Sequence, residues 1–157
     1  MSIHEVCLLA GGFAFFALLL RLSVDDIRTG FLYDRWVGLL AAAGLIMAAL
    51  GQRTLFSAIS GALLGGGLLF AVRMLSRGGI GGGDVKLAAA LGLWTGHTGI
   101  LPALFVAFLL GSLWGIVLLL RGYGRKANLP FGPCLAIGGV VGVGFGNEIC
   151  AFYEALF

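Results

Sequence analysis

The chain has 157 residues, of which 60% are hydrophobic and only 11% are charged, with a formal net charge of +3. A soluble domain has about 25% charged residues, so this composition and a mean hydropathy of +1.07 exclude an ordinary soluble protein. They predict an all-α, polytopic membrane helix bundle. The length fits one domain over residues 1–157. The basic residues are spread singly along the chain, which argues against nucleic-acid binding.

Apolar segments alternate with short polar ones along the whole chain. They cover residues 6–22, 36–51, 55–75, 85–94, 100–120 and 134–157. Since a helix needs about 20 residues to cross a bilayer, we expect about six transmembrane helices. The second and fourth are the shortest.

Glycines four residues apart recur within these segments. The spacing occurs at Gly61 and Gly65, at Gly92 and Gly96, at Gly111 and Gly115, and at Gly138, Gly142 and Gly146. Small residues at this spacing let membrane helices approach closely. We therefore expect a compact bundle.

The basic residues predict the orientation in the membrane. If there are six spans, nine of the ten Lys and Arg residues fall on one side and only Arg53 falls on the other. The nine are Arg21, Arg28, Arg35, Arg73, Arg77, Lys86, Arg121, Arg125 and Lys126. An excess of positive charge marks the cytoplasmic side, so both termini are expected outside. The four aspartates (Asp25, Asp26, Asp34 and Asp84) share the cytoplasmic side.

Asp84 follows a run of three glycines and begins an apolar segment. A carboxylate at the mouth of a membrane span is costly, so it calls for a function. Two adjacent carboxylates that share a proton can direct water onto a peptide bond. The partner would be Asp25, Asp26 or Asp34. Alternatively, Asp84 caps a helix, and the Asp25–Asp26 pair belongs to a solvated loop. The neighbouring basic residues disfavour a cation site, so no metal is expected.

Three motifs, in order along the chain, resemble those of the type IV prepilin peptidases, which are membrane aspartic proteases with a GxGD motif. Residues 81–87, GGGDVKL, resemble the GxGDxKL motif. Residues 26–34, DIRTGFLYD, resemble the first aspartate motif, with Tyr33 where the family usually has proline and Asp34 at its Asn/Asp position. Leu129 begins the third, LPFGPCLAIG, which resembles the PFGP signature. The register selects Asp26 rather than Asp25.

The resemblance implies a membrane-embedded aspartic endopeptidase that removes the basic leader from prepilin or pilin-like precursors at the cytoplasmic face of a prokaryotic cell membrane. The catalytic pair would be Asp26 and Asp84. The residues expected to support the site or bind substrate are Gly81, Gly83, Lys86, Arg28 and Asp34. Lys86 would orient Asp84, pair with a lipid phosphate, or extend to the membrane interface. Asp25 and Asp34 are interpreted as solvated loop carboxylates that meet the basic leader.

Two expectations follow from this interpretation. If the helix dipole favours ionised Asp84, Asp26 more often holds the shared proton. The longer bacterial members carry an N-terminal portion with paired cysteines that is linked to methylation. This chain has no CxxC pair, so it resembles a peptidase-only form for which no cofactor, including S-adenosylmethionine, is expected.

Two other classes of function fit the composition. A small transporter or channel component could use interfacial aspartates, although none of the aspartates lies in the middle of a span. A non-catalytic assembly factor could use the same scaffold, although both motif aspartates are present.

Overall fold

The computed structural model describes residues 3–77, 79–122 and 130–156, and its regular elements are all helices. They are α1 (Ile3–Thr29), α2 (Asp34–Ala49), α3 (Leu55–Leu75), α4 (Gly82–Leu120) and α5 (Gly132–Leu156). Arg125, Lys126 and Leu129 lie outside the described residues. The all-α prediction is confirmed.

Helix α1 continues well past the predicted end at residue 22 and reaches Thr29. It ends at Gly30, whose φ of 68° is a left-handed conformation that favours glycine. The Gly30 amide donates a hydrogen bond to the Asp26 carbonyl at 2.8 Å, as in a left-handed helix cap. Asp25 and Asp26 therefore lie within the last turns of a helix and not in a loop.

Helix α4 reverses direction at Gly96, where φ is 69° and ψ is −178°. A Cβ atom built on Gly65 of α3 would lie 2.6 Å from the carbonyl oxygen of Ala88 and 2.9 Å from Cγ1 of Ile100. In a straight helix, these two residues of α4 would lie about 18 Å apart. They meet the same point on α3 because the chain turns back between them.

The predicted count of about six transmembrane helices is not matched, since the described residues form five helices, of which four are long and apolar enough to cross a membrane. The fourth and fifth predicted segments are the two halves of α4, which meet without an intervening loop at Gly96. The chain turns at the single residue Gly96, so the two predicted apolar segments belong to one helix that is interrupted there.

Glycines bring the backbones of α3, α4 and α5 into contact. A methyl group on Gly92 would overlap the carbonyl oxygen of Gly61, and one on Gly138 would overlap that of Ala103. A methyl group on Gly99 would lie 2.5 Å from the Gly142 carbonyl oxygen. We call Gly61, Gly92, Gly99, Gly138 and Gly142 the glycine seam.

The outer surface of the bundle is apolar. Phe13, Phe56, Phe105 and Phe152, one on each of four helices, are each 70% exposed or more. Among the described residues, four helical stretches are long and apolar enough to cross a membrane: Glu5–Thr29, Leu55–Leu75, Gly82–Leu120 and Gly132–Phe152. Large exposed apolar side chains on such helices are stable in lipid and not in water. The chain is a multi-pass membrane protein.

Candidate active site

Asp26 lies in the last turns of α1 and is only 7% exposed. Its Oδ2 atom accepts a hydrogen bond from the backbone amide of Gly132 at 2.7 Å. Gly132 is the first residue of α5, so Asp26 satisfies one of the amides that a helix N-terminus leaves free. The side chain of one helix thus caps another helix that begins 106 positions later.

Asp84 lies in the first turn of α4 and is 9% exposed. Its Oδ2 atom accepts a hydrogen bond from the Gly81 amide at 3.2 Å, three residues earlier. Its Oδ1 atom is buried without a hydrogen-bond partner among the described residues. Such an oxygen is costly unless another group binds it.

Both aspartates face one cavity of about 770 Å³. Its walls come from the end of α1, the loop before α4, the first turn and the second half of α4, and the two residues before α5. The lining residues are Asp26, Ile27, Arg28, Thr29, Gly30, Gly79, Ile80, Gly81, Asp84, Phe108, Gly111, Ser112, Pro130 and Phe131. The predicted partners Asp26 and Asp84 are therefore brought together at one cavity, where the charge of Asp26 acts on Asp84.

Both carboxylates lie at helix N-termini. Asp84 is in the first turn of α4, and Asp26 accepts the first amide of α5. A helix N-terminus stabilises negative charge, so this effect acts on both members of the pair. The expectation that Asp26 holds the shared proton relied on a helix N-terminus acting at Asp84 alone, whereas in the structure Asp26 also accepts the first amide of α5.

The other predicted site residues divide into two groups. Arg28 and Gly81 line the cavity. Gly83 does not line it, and instead packs against Leu32, whose Cβ would lie 2.9 Å from a Cβ at this glycine. The glycine before Asp84 thus lets the start of α4 approach the chain that precedes α2.

Lys86 and Asp34 form an ion pair with each other, with Nζ and Oδ2 2.7 Å apart. Both side chains are more than half exposed and line a different cavity. Lys86 is therefore bonded to Asp34 rather than to Asp84. Asp34 is not in a loop, because it is the first residue of α2.

The interpretation of Asp25 as a solvated carboxylate is wrong. Asp25 is buried, with 6% exposure, and its Oδ1 lies 3.4 Å from Nη2 of Arg21 one turn earlier. Consecutive residues on a helix point about 100° apart. Since Asp26 faces the cavity, Asp25 points elsewhere.

The lining residues that were not predicted as site residues include Phe108, Ser112 and Phe131, and the Gly132 amide that bonds Asp26 was not predicted either. The rings of Phe108 and Phe131 lie 5.5 Å apart and form an apolar wall. Phe131 and Gly132 belong to the third sequence motif, so the motif was a signal for their location. Phe108 and Ser112 carry no motif and reach the cavity only because α4 reverses.

The geometry suits water-dependent chemistry. Two buried carboxylates share one cavity, and Oδ1 of Asp84 is available for hydrogen bonding. Among the described residues, no group of three His, Cys, Asp or Glu side chains could hold a metal ion. The structure therefore offers a carboxylate pair as its reactive feature.

Comparison with known proteins identifies the family of the chain. Residues 13–116 match the type IV leader peptidase family. The chain is 32% identical over 144 residues to a prepilin leader peptidase/N-methyltransferase of Bacillus subtilis (strain 168), an alignment that covers 88% of the chain and 57% of the relative.

Two further relatives carry the same name. One from Burkholderia pseudomallei (strain K96243) is 40% identical over 142 residues, which cover 86% of the chain and 46% of the relative. One from Escherichia coli (strain K12) is 35% identical over 139 residues, which cover 85% of the chain and 62% of the relative. The chain spans about half the length of the curated relatives it matches. No solved structure matches it.

The family match covers most of the chain and includes both Asp26 and Asp84. It does not favour the transporter, channel or assembly-factor alternatives. The chain belongs to the type IV leader peptidase family.

Proposed function

We propose that the chain is an aspartic endopeptidase that removes the leader peptide from prepilin or pilin-like precursors. The observation that carries this proposal is the pair of buried carboxylates, Asp26 and Asp84, at one cavity. The names of the relatives support prepilins as the substrate class. The proposed catalytic domain extends over residues 1–157.

Asp26 is the proposed base and Asp84 the proposed acid. The 2.7 Å bond from the Gly132 amide stabilises negative charge on Asp26. Asp84 has a longer bond, and its buried Oδ1 lacks a partner. A protonated Asp84 can use that oxygen to donate a hydrogen bond to a substrate carbonyl. This assignment reverses the expectation from the sequence.

In the proposed reaction, Asp26 takes a proton from water and the hydroxide adds to the carbonyl carbon of the scissile peptide. Asp84 gives its proton to the carbonyl oxygen, which produces a neutral tetrahedral diol. Asp26 then protonates the nitrogen while Asp84 takes a proton from one hydroxyl, and the C–N bond breaks. Both carboxyl groups return to their starting states, as expected for a pair that shares one proton.

We also propose six membrane crossings with the aspartate cavity on the cytoplasmic side and both termini outside. The reversal at Gly96 supports two crossings by α4. Arg21, Arg28 and Lys86 lie near the aspartate end of the bundle, whereas Arg53 lies near Gly96 at the other end. This distribution of positive charge supports the cytoplasmic placement. The expected location is a prokaryotic cell membrane.

Arg28 and Gly81 are proposed to contact the substrate backbone because they line the cavity beside the two aspartates. Gly83, Lys86 and Asp34 are proposed to support the start of α4 through their contacts with Leu32 and with each other.

The test is co-expression with a prepilin precursor and detection of leader removal by a shift on a gel. We expect Asp26→Asn and Asp84→Asn each to lower the cleavage rate about 10³-fold or more, because each removes one proton-transfer group. Asp25→Asn is the matched control, since Asp25 adjoins Asp26 and is equally buried. The Asp25→Asn variant should still cleave the precursor.

Two outcomes would contradict the proposal. Normal cleavage by both Asp26→Asn and Asp84→Asn would exclude the carboxylate pair. Cleavage by Asp26→Asn together with loss of cleavage in Asp25→Asn would show that Asp25, and not Asp26, is the catalytic aspartate of α1.

A further inference from the structure

The Lys86–Asp34 ion pair lies at one end of a second cavity, an apolar groove of about 400 Å³. Positions 34, 37, 38 and 41 of α2 line one wall, and positions 86, 89, 90 and 93 of α4 line the other. The spacing is the same on both helices and follows a single helix face. The ion pair joins the first positions of both sets, and Nε1 of Trp94 donates to the Leu40 carbonyl at 2.8 Å about two turns further on, so the two helices run parallel there.

The groove is short, since its walls cover seven residue steps, or about 10 Å of helix. It is lined mainly by small side chains, and the space beside Gly38 is open, with no atom within 4 Å of a Cβ built there.

The polar end of the groove carries one charge of each sign. The Lys86 ammonium uses one of its three N–H groups on Asp34, and the Asp34 carboxylate has four acceptor positions. The side chains are 57% and 71% exposed, so both have hydrogen-bonding capacity that solvent or a ligand can reach. A ligand that matches this end has an anion and a hydrogen-bond-donating cation close together, joined to an apolar chain.

We propose that the groove binds phosphatidylethanolamine, with an acyl chain between α2 and α4. The lipid phosphate contacts Lys86, and its primary ammonium donates to Asp34. Phosphatidylcholine has a quaternary ammonium without an N–H donor, and phosphatidylglycerol has no cation, so each of them lacks one of the two contacts. This binding is separate from peptide cleavage and does not depend on the proposed function.

The experiment measures lipid binding to the intact chain in detergent by native mass spectrometry. Phosphatidylethanolamine, phosphatidylcholine and phosphatidylglycerol are added at equal concentration. We expect the ethanolamine lipid to bind about fivefold more than either of the others, which corresponds to about 1 kcal/mol for one charged contact. Equal binding of the three lipids would overturn the proposal.

Two glycine variants test the location. Gly38 lines the groove and a Cβ there meets no atom within 4 Å, so Gly38→Leu places a large side chain at the groove; Gly67→Leu adds the same side chain at a position outside the groove where a Cβ also has open space. Gly38→Leu should lose the preference, and Gly67→Leu should keep it. Retention of the full preference by Gly38→Leu would overturn the assignment to this groove.

The headgroup contacts have their own test. Asp34→Asn should bind the ethanolamine and choline lipids equally, because it loses the charge that attracts the primary ammonium. Glycerophosphoethanolamine, which has the headgroup but no chains, should not compete. Competition at the lipid's own concentration would identify the ligand as a soluble phosphodiester and overturn the lipid proposal.

Discussion

Glycines occur in two regions of the bundle, and the atoms beside them differ. In the glycine seam, the neighbours of Gly92 and Gly138 are backbone carbonyls of facing helices. At the aspartate cavity, the neighbours of Gly132 and Gly81 are the carboxylates of Asp26 and Asp84. A backbone carbonyl cannot rotate away from an added methyl group, whereas a side chain can. The seam glycines therefore maintain the fold, and the cavity glycines position the carboxylates.

The largest expected effect is in the seam. Gly92→Ala places a methyl group on the Gly61 carbonyl, so α3 and α4 must separate. We expect the free energy of unfolding to fall by about 3 kcal/mol or more, measured as a lower thermal midpoint in detergent. Gly67→Ala, where space is open, is the control. An unchanged midpoint for Gly92→Ala would show that the seam does not depend on backbone contact.

At the cavity, the same substitution should affect cleavage and leave the fold intact. A Cβ on Gly132 would lie 2.7 Å from Oδ2 of Asp26, which must then move. A displacement of about 1 Å costs about 100-fold in rate, so we expect Gly132→Ala to cleave about 100-fold more slowly at an unchanged thermal midpoint. Gly144→Ala, in open space on the same helix, should cleave normally. An unchanged cleavage rate for Gly132→Ala would show that this glycine does not position Asp26, and would contradict the different roles of the two groups of glycines.

A side chain at Gly96 would be disfavoured both by the backbone conformation and by neighbouring atoms. Its φ and ψ fall in a region essentially restricted to glycine, and a Cβ there would lie 2.5 Å from Oγ of Ser57. We expect Gly96→Ala to lower the free energy of unfolding by about 2 kcal/mol. Gly51→Ala also has a positive φ but has open space, and it should lose about 1 kcal/mol. Equal losses in the two variants would show that crowding at Gly96 contributes nothing.

The smallest effect is expected at a helix cap outside the glycine seam and the aspartate cavity. Oγ1 of Thr54 accepts a hydrogen bond from the Ser57 amide at the start of α3, at 3.2 Å. Thr54→Ala should lower the free energy of unfolding by about 1 kcal/mol, with the cleavage rate unchanged, and Thr54→Ser should restore the stability. A loss of cleavage without a loss of stability would contradict the separation of fold and site.

The sequence was informative where its signal is local. The segment 55–75 coincides with α3, because its apolar run has polar residues at both ends. The all-α helix bundle was also predicted, from composition. The approach of Asp26 to Asp84 was predicted from the motifs and from their shared membrane side.

What could not be predicted depends on contacts between distant positions. The burial of Asp25 and the bond from Gly132 to Asp26 both require the packed arrangement of helices. The pairing of Lys86 with Asp34 joins positions 52 apart. The position of Phe108 at the cavity requires the reversal at Gly96. No local pattern reports any of these contacts.

The cap of α5 by Asp26 has a consequence for biosynthesis. Synthesis of the chain produces Asp26 first, then Asp84, and reaches Gly132 only when α5 begins. A nascent chain with four inserted helices has both carboxylates but lacks the amide that holds one of them. Asp26 therefore gains its bond from the Gly132 amide only after the start of α5 has been made.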